Sequence, residues 1–82
     1  MYELVGYRYV DMVAEKKNER DVKGYSCFFL VDENDPALTG RSAVKVFFSD
    51  EKFADFNPEL GDKYLLLFNQ KGKFQGYQKL DQ

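Results

Sequence analysis

Hydrophobic positions in this chain recur with the alternation of strands rather than the three-to-four spacing of helices, in five runs separated by polar or Gly-bearing stretches. The first run, residues 2 to 14, is rich in Val and Tyr and carries no helix cap, which predicts a long strand. Its even positions (Tyr2, Leu4, Gly6, Arg8, Val10, Met12) alternate with Glu3, Val5, Tyr7, Tyr9, Asp11 and Val13, and neither set is cleanly polar. A long strand with a Gly near its start suits one that bends and serves two parts of a small barrel, because Gly relieves crowding at such corners. Residues 15 to 21, E-K-K-N-E-R-D, read as a solvated loop or hairpin tip.

The second strand is expected over residues 24 to 31, G-Y-S-C-F-F-L-V. Tyr25, Cys27 and Phe29 face one way and Ser26, Phe28 and Leu30 the other, and either set suits a core. Residues 32 to 40, with Pro, Asn, two Asp and Gly, form a loop. The third strand, 42 to 48, sets Val44, Val46 and Phe48 on an oily face and Ala43, Lys45 and Phe47 on the other. Ser49 can cap a short helix over residues 50 to 56, with Asp50 and Glu51 at the positive end of its dipole. Phe53 and Phe56 would then share a side and plug a barrel end, and Asn57-Pro58 stops the helix. A fourth strand is expected over 61 to 69, a tight turn over 69 to 73 with Gly72 available for a left-handed conformation, and a fifth strand over 73 to 80.

This order predicts a mainly β fold: a five-stranded OB-like small barrel with one short helix between strands 3 and 4, filling residues 1 to 82 as a single domain. Such barrels bind oligonucleotides or oligosaccharides on the strand 2–3 face and neighbouring loops. No repeat or low-complexity tract argues otherwise.

Composition narrows the chemistry. Histidine is absent and there is one Cys, so zinc sites and nucleophilic triads cannot be assembled, and no enzyme and no cofactor is expected. Asp32, Glu33, Asn34 and Asp35 cluster oxygen donors but lack the Gly and distant Glu of an EF-hand loop, so no metal site is expected there. The longest apolar run, Tyr64-Leu65-Leu66-Leu67-Phe68, is too short to span a bilayer, and Met1-Tyr2-Glu3-Leu4 does not open a secretory signal. With a single thiol, these features predict a cytoplasmic setting. The outlying property is aromatic content: eight Phe and six Tyr, 17% of the chain. So many rings either fill the core or cover a binding face.

The aromatic first strand, V-K-V-F-F after a polar loop, and P-E-L-G-D-K-Y-L-L-L-F-N-Q-K-G-K-F near the end resemble small single-stranded-DNA-binding proteins of OB type from phages and mobile elements. The resemblance is one of pattern over most of the chain. It implies single-strand binding in replication or plasmid transfer, often by a homodimer, and transfers no specific residue.

Taken from the residues themselves, three groups are candidate nucleic-acid contacts. In the last strand Lys73, Gln75, Tyr77 and Lys79 alternate with Phe74, Gly76 and Gln78, putting cations and a ring on one face, with Lys71 in the preceding turn. Lysines would neutralise phosphates while Tyr77 stacks on a base; lysines on an edge strand equally discourage aggregation. Lys45 and Phe47 fall on the third strand's less oily face, with Tyr25 on its neighbour. Tyr7 and Tyr9 flank Arg8, which points away from them in a regular strand. Net charge, −2, opposes a polyanion ligand, but it is uneven. Residues 61 to 82 hold four lysines against two aspartates, while residues 1 to 60 hold 8 basic against 12 acidic groups. The expected partner is therefore single-stranded DNA, with a protein-interaction module, pairing through exposed rings and strand edges with another chain or a second copy, as the alternative.

Overall fold

The computed structural model describes residues 1–17, 20–31 and 35–80. Residues 18 and 19 of the first expected loop, and Asp32, Glu33 and Asn34 of the second, lie outside the described residues, as do Asp81 and Gln82. Five strands form: β1 (Tyr2–Met12), β2 (Val22–Val31), β3 (Ser42–Ser49), β4 (Lys63–Phe68) and β5 (Phe74–Leu80). They make one antiparallel sheet in the order β3-β2-β1-β4-β5. No helix among the described residues is long and apolar enough to cross a membrane.

β1 pairs with β2 along its whole length, from Tyr2 opposite Val31 to Met12 opposite Val22. To β4 it is joined by only two residue pairs, Tyr2 with Tyr64 and Glu3 with Lys63. Loop bonds extend that junction: the Leu4 amide donates to the Asp62 carbonyl at 2.9 Å, and the Gly61 amide to the Leu4 carbonyl at 2.8 Å. Beside them the Lys63 ammonium meets Glu3 at 2.7 Å, which holds the Glu3 carboxyl below its usual pKa. The long first strand thus serves two partners, as its length predicts.

Two irregularities decide which side chains face inward. The β1–β2 register shifts between Leu4 and Gly6, so Val5 is the extra residue of a bulge. Tyr2 and Leu4 face the interior before it; after it Tyr7 and Tyr9, opposite Cys27 and Tyr25, take that side. In β5 the register shifts again, with Phe74 opposite Phe68 but Gly76 opposite Leu67, leaving Gln75 as the extra residue. Phe74 and Tyr77 consequently lie on the same side.

The interior is built largely of rings. Leu4, Cys27, Phe29, Val46, Phe48, Phe56, Tyr64 and Leu66 are buried, and Tyr2, Tyr25, Val44, Phe53, Phe74 and Tyr77 pack against them. Phe48 stacks on Phe56 at 3.9 Å and 9°, and Phe29 meets Tyr64 at 5.7 Å, nearly perpendicular. Burial drives the Cys27 thiol up to about 12.

Two expectations are corrected. Residues 50–56 do not form a helix. One helical turn closes, with the Phe53 amide donating to the Ser49 carbonyl at 2.9 Å and the Lys52 amide reaching Ser49 Oγ at 3.3 Å; the next bond, Phe56 to Phe53, is a tighter turn. A segment of seven residues is too short to hold a helix by its own hydrogen bonds, and Asn57-Pro58 follows it directly. Phe53 and Phe56 still enter the interior together, as their spacing implies. Second, the sheet is not closed into a barrel: β3 and β5 stand at its margins with no ladder between them. Rings from both margins meet over the interior instead, Phe48 lying 4.9 Å from Phe74 and 5.3 Å from Tyr77, with Phe53 at 5.4 Å from Phe74.

Candidate functional site

The registers sort the candidate residues onto different surfaces. On the outward face of β1, β2 and β3, cross-strand rows run Gly6–Phe28–Lys45 and Arg8–Ser26–Phe47, followed by Val10–Gly24–Ser49. Lys45 and Phe47 are therefore together, in the company of Phe28 and Arg8.

Glycine makes room for one ring on this face. A Cβ on Gly24 would come within 2.8 Å of Phe47 Cζ, so that ring leans across β2 into the space a side chain would fill, whereas a Cβ on Gly6 would stand 3.7 Å from Phe28 Cδ2, an ordinary contact. Lys45 Nζ sits 5.8 Å from the Phe28 ring centroid, a cation over a π face. Arg8 and Lys45 are exposed, and among the described residues neither has an ion-pair partner. None of the residues in these three rows carries a carboxylate. Beside Phe47 opens a cleft of about 450 Å³, lined also by Arg20, Lys23, Asp50 and Glu51.

Tyr7, Tyr9 and Tyr25 lie on the opposite, interior-facing side, where the sheet extends beyond the core. Tyr25 meets Tyr7 edge-on at 5.9 Å and Tyr9 at 5.1 Å. The Tyr9 hydroxyl donates to Asp50 Oδ2 at 2.6 Å. That bond, aided by burial and by the charges of Asp50 and Asp11, pushes its pKa up to about 12.

The last strand is arranged differently from its alternation. Because Gln75 bulges, Tyr77 turns inward and is half-buried against Phe48, Phe53, Phe56 and Tyr64. Burial and Asp55 raise its pKa. Lys79 pairs with Asp62 at 3.1 Å. Lys73 lies in the turn before β5, where its amide and that of Lys71 both donate to Asn69 Oδ1 at 2.9 Å. Lys71 and Lys73 are exposed at this hairpin tip, where Gly72 adopts φ +81°. The structure therefore does not bring Lys71, Lys73, Tyr77 and Lys79 onto one face.

One residue of the outward face escapes sequence reasoning, Phe28, which alternation leaves open as core; Arg8, grouped in sequence with Tyr7 and Tyr9, points away from them as alternation implies. The available signal is Gly24, which sits where the Phe47 ring of the adjacent strand needs room. Searches against protein-family models, curated proteins and solved structures find no match to this chain.

Proposed function

We propose that the chain binds single-stranded nucleic acid on the outward face of β1, β2 and β3, without catalysis, by stacking bases on Phe47 and Phe28 and pairing phosphates with Arg8 and Lys45. The observation that carries this reading is the conjunction of two rings, Phe47 laid across Gly24 and Phe28 beside it, with two cations, unpaired among the described residues, in rows free of carboxylates. Every base offers a π face, so such a platform tolerates any sequence, and cations spaced along it suit a backbone that repeats its charge. Of the acidic residues near this face, Glu3 is occupied by Lys63 and Asp50 accepts from Tyr9, while Asp21 and Glu51 share the cleft beside Phe47 with Arg20 and Lys23. Lys71 and Lys73 are exposed at the β4–β5 tip, beyond the Tyr2 end of β1 and away from the Arg8–Phe47 row.

The reading goes with an OB-like interpretation of the sheet. The order β3-β2-β1-β4-β5 puts at its margins the two strands that a five-stranded barrel would join, and the Phe48–Phe74–Tyr77 contacts bridge that seam. Barrels of this type bind on the strand 2–3 face, where Lys45, Phe47 and Phe28 stand. With the pattern resemblance to phage and mobile-element proteins, the role is in replication or transfer of such DNA, in the cytoplasm.

A second reading rests on a different surface. Leu65 and Leu67 are 41% and 57% exposed on β4, next to the unpaired margin of β5, and suit a protein-interaction module that pairs with another chain or a second copy.

Titration of a fluorescent oligothymidine at low and moderate salt tests the proposal. Binding should weaken steeply with salt, and Arg8→Ala or Lys45→Ala should each lower the salt slope by about one. Phe47→Ala should weaken binding roughly five- to 150-fold, the equivalent of about 1–3 kcal/mol per stacked base. Failure to bind at low salt, or binding indifferent to Phe47, leaves the interaction module as the reading that stands.

A further inference from the structure

The tyrosine cluster has the opposite chemistry to the outward face. Tyr25 lies between Tyr7 and Tyr9 with interplanar angles of 86° and 67°, and Phe56 continues the series at 5.9 Å and 70° from Tyr25. Rings set edge to face meet as walls of a corner, and the electron-rich faces of such walls attract cations. Tyr7 and Tyr9 keep 43% and 49% of their surface exposed, so the corner is open to solvent. Asp50 stands at its rim, fixed by the 2.6 Å bond from the Tyr9 hydroxyl. Asp11 lies further along the same side of β1, opposite Lys23 across the ladder, and no ion pair joins the two. The charges acting on the Tyr9 hydroxyl, those of Asp50 and Asp11, are both negative.

We propose that Tyr7, Tyr9, Tyr25 and Asp50 form a receptor for the side-chain cation of a partner polypeptide, an arginine guanidinium or a lysine ammonium lying against the tyrosine faces and paired with the Asp50 carboxylate. The field that disfavours a phosphate here favours a cation, and the rings supply the apolar contact that the methylene stem of either side chain requires. The protein would thus present two recognition surfaces on opposite sides of one sheet, one for a polyanion and one for a basic polypeptide. The receptor is independent of the nucleic-acid reading.

Aromatic NMR signals of the three tyrosines, followed while Nα-acetyl-arginine amide, Nα-acetyl-lysine amide and the neutral Nα-acetyl-citrulline amide are added, test this directly. A saturable shift confined to Tyr7, Tyr9 and Tyr25 is expected with a cationic probe, with affinity for citrulline at least about five-fold weaker. Asp50→Asn should weaken the cationic probe by a similar factor, and Tyr7→Ala, at an exposed ring, serves as the second variant should Asp50→Asn perturb the fold. Arg8→Ala and Lys45→Ala should leave the response unchanged, which separates it from oligonucleotide binding. No saturable shift, an equal response to citrulline, or a response that both Asp50→Asn and Tyr7→Ala leave intact would overturn the assignment.

Discussion

Gly24 is the position at which β2 and β3 leave least room. A Cβ there would stand 2.3 Å from the Phe48 carbonyl oxygen and 2.8 Å from both the Phe47 ring and the Ser49 Cα. Two of those three neighbours are backbone, which cannot swing aside. Gly24→Ala is therefore expected to cost about 1–3 kcal/mol in urea unfolding, the range for forcing extra atoms into packed surroundings, and to displace Phe47. Gly76, with nothing within 4 Å of an added methyl and no left-handed backbone, is the control: Gly76→Ala should shift stability by no more than about 0.5 kcal/mol. Equal effects at the two positions would contradict the packing assigned to the outward face. At this scale the sequence is informative where alternation is unbroken: Val46 and Phe48 are buried and Lys45 and Phe47 exposed, as the third strand's pattern implies. It misleads at Tyr77, because alternation carried from Lys73 counts straight through Gln75.

Strands are legible as elements because Val, Phe and Tyr runs bounded by Gly, Pro, Asn and Asp leave few alternatives. The expected runs at 24 to 31, 42 to 48 and 73 to 80 each fall within a residue or two of β2, β3 and β5. The bulges are not legible, since an extra residue in one strand is defined only by its partner. Nor is the failure of residues 50–56 to become a helix, for Ser49 does accept an early amide as a cap should and Phe53 and Phe56 do enter the interior together, yet so short a segment does not propagate beyond one turn. The Gln75 bulge gives a test at the level of the element. Deleting Gln75 leaves Phe74 and Tyr77 two apart in plain alternation, still opposite Phe68 and Leu66, so both rings still turn inward against Phe48 and Phe53. The variant should therefore stay within about 1 kcal/mol of the parent in denaturant unfolding. A loss as large as that of truncating a buried ring, about 3–5 kcal/mol, would show that Gln75 itself holds the β5 register.

The whole molecule stores proton affinity in its interior. Cys27 is held up to about 12 by burial, and the Tyr64 and Tyr77 hydroxyls are raised by burial and by Asp62 and Asp55 respectively. In the unfolded chain the thiol releases its proton near 9.0 and the phenols near 10.0, whereas the folded protein retains them to higher pH. Stability from these groups is complete below pH 9 and is lost as pH climbs toward 12, because the unfolded state ionises first. Thermal unfolding across pH 7 to 11 should show a flat Tm that begins to fall near pH 9, and Cys27→Ala should delay the fall until the phenols ionise near pH 10. A Tm that stays level through pH 11 would contradict the burial assigned to these groups.

The slender junction between β1 and β4 has its own mechanical meaning. One ribbon of three strands and another of two are riveted together by the Tyr2–Tyr64 and Glu3–Lys63 pairs and their adjoining loop bonds, while across the far seam Phe48 meets Phe74 and Tyr77. Ring contacts slide where ladders snap. A pivot about that rivet would widen or narrow the seam at the cost of those ring contacts while leaving the strand pairs within each ribbon intact.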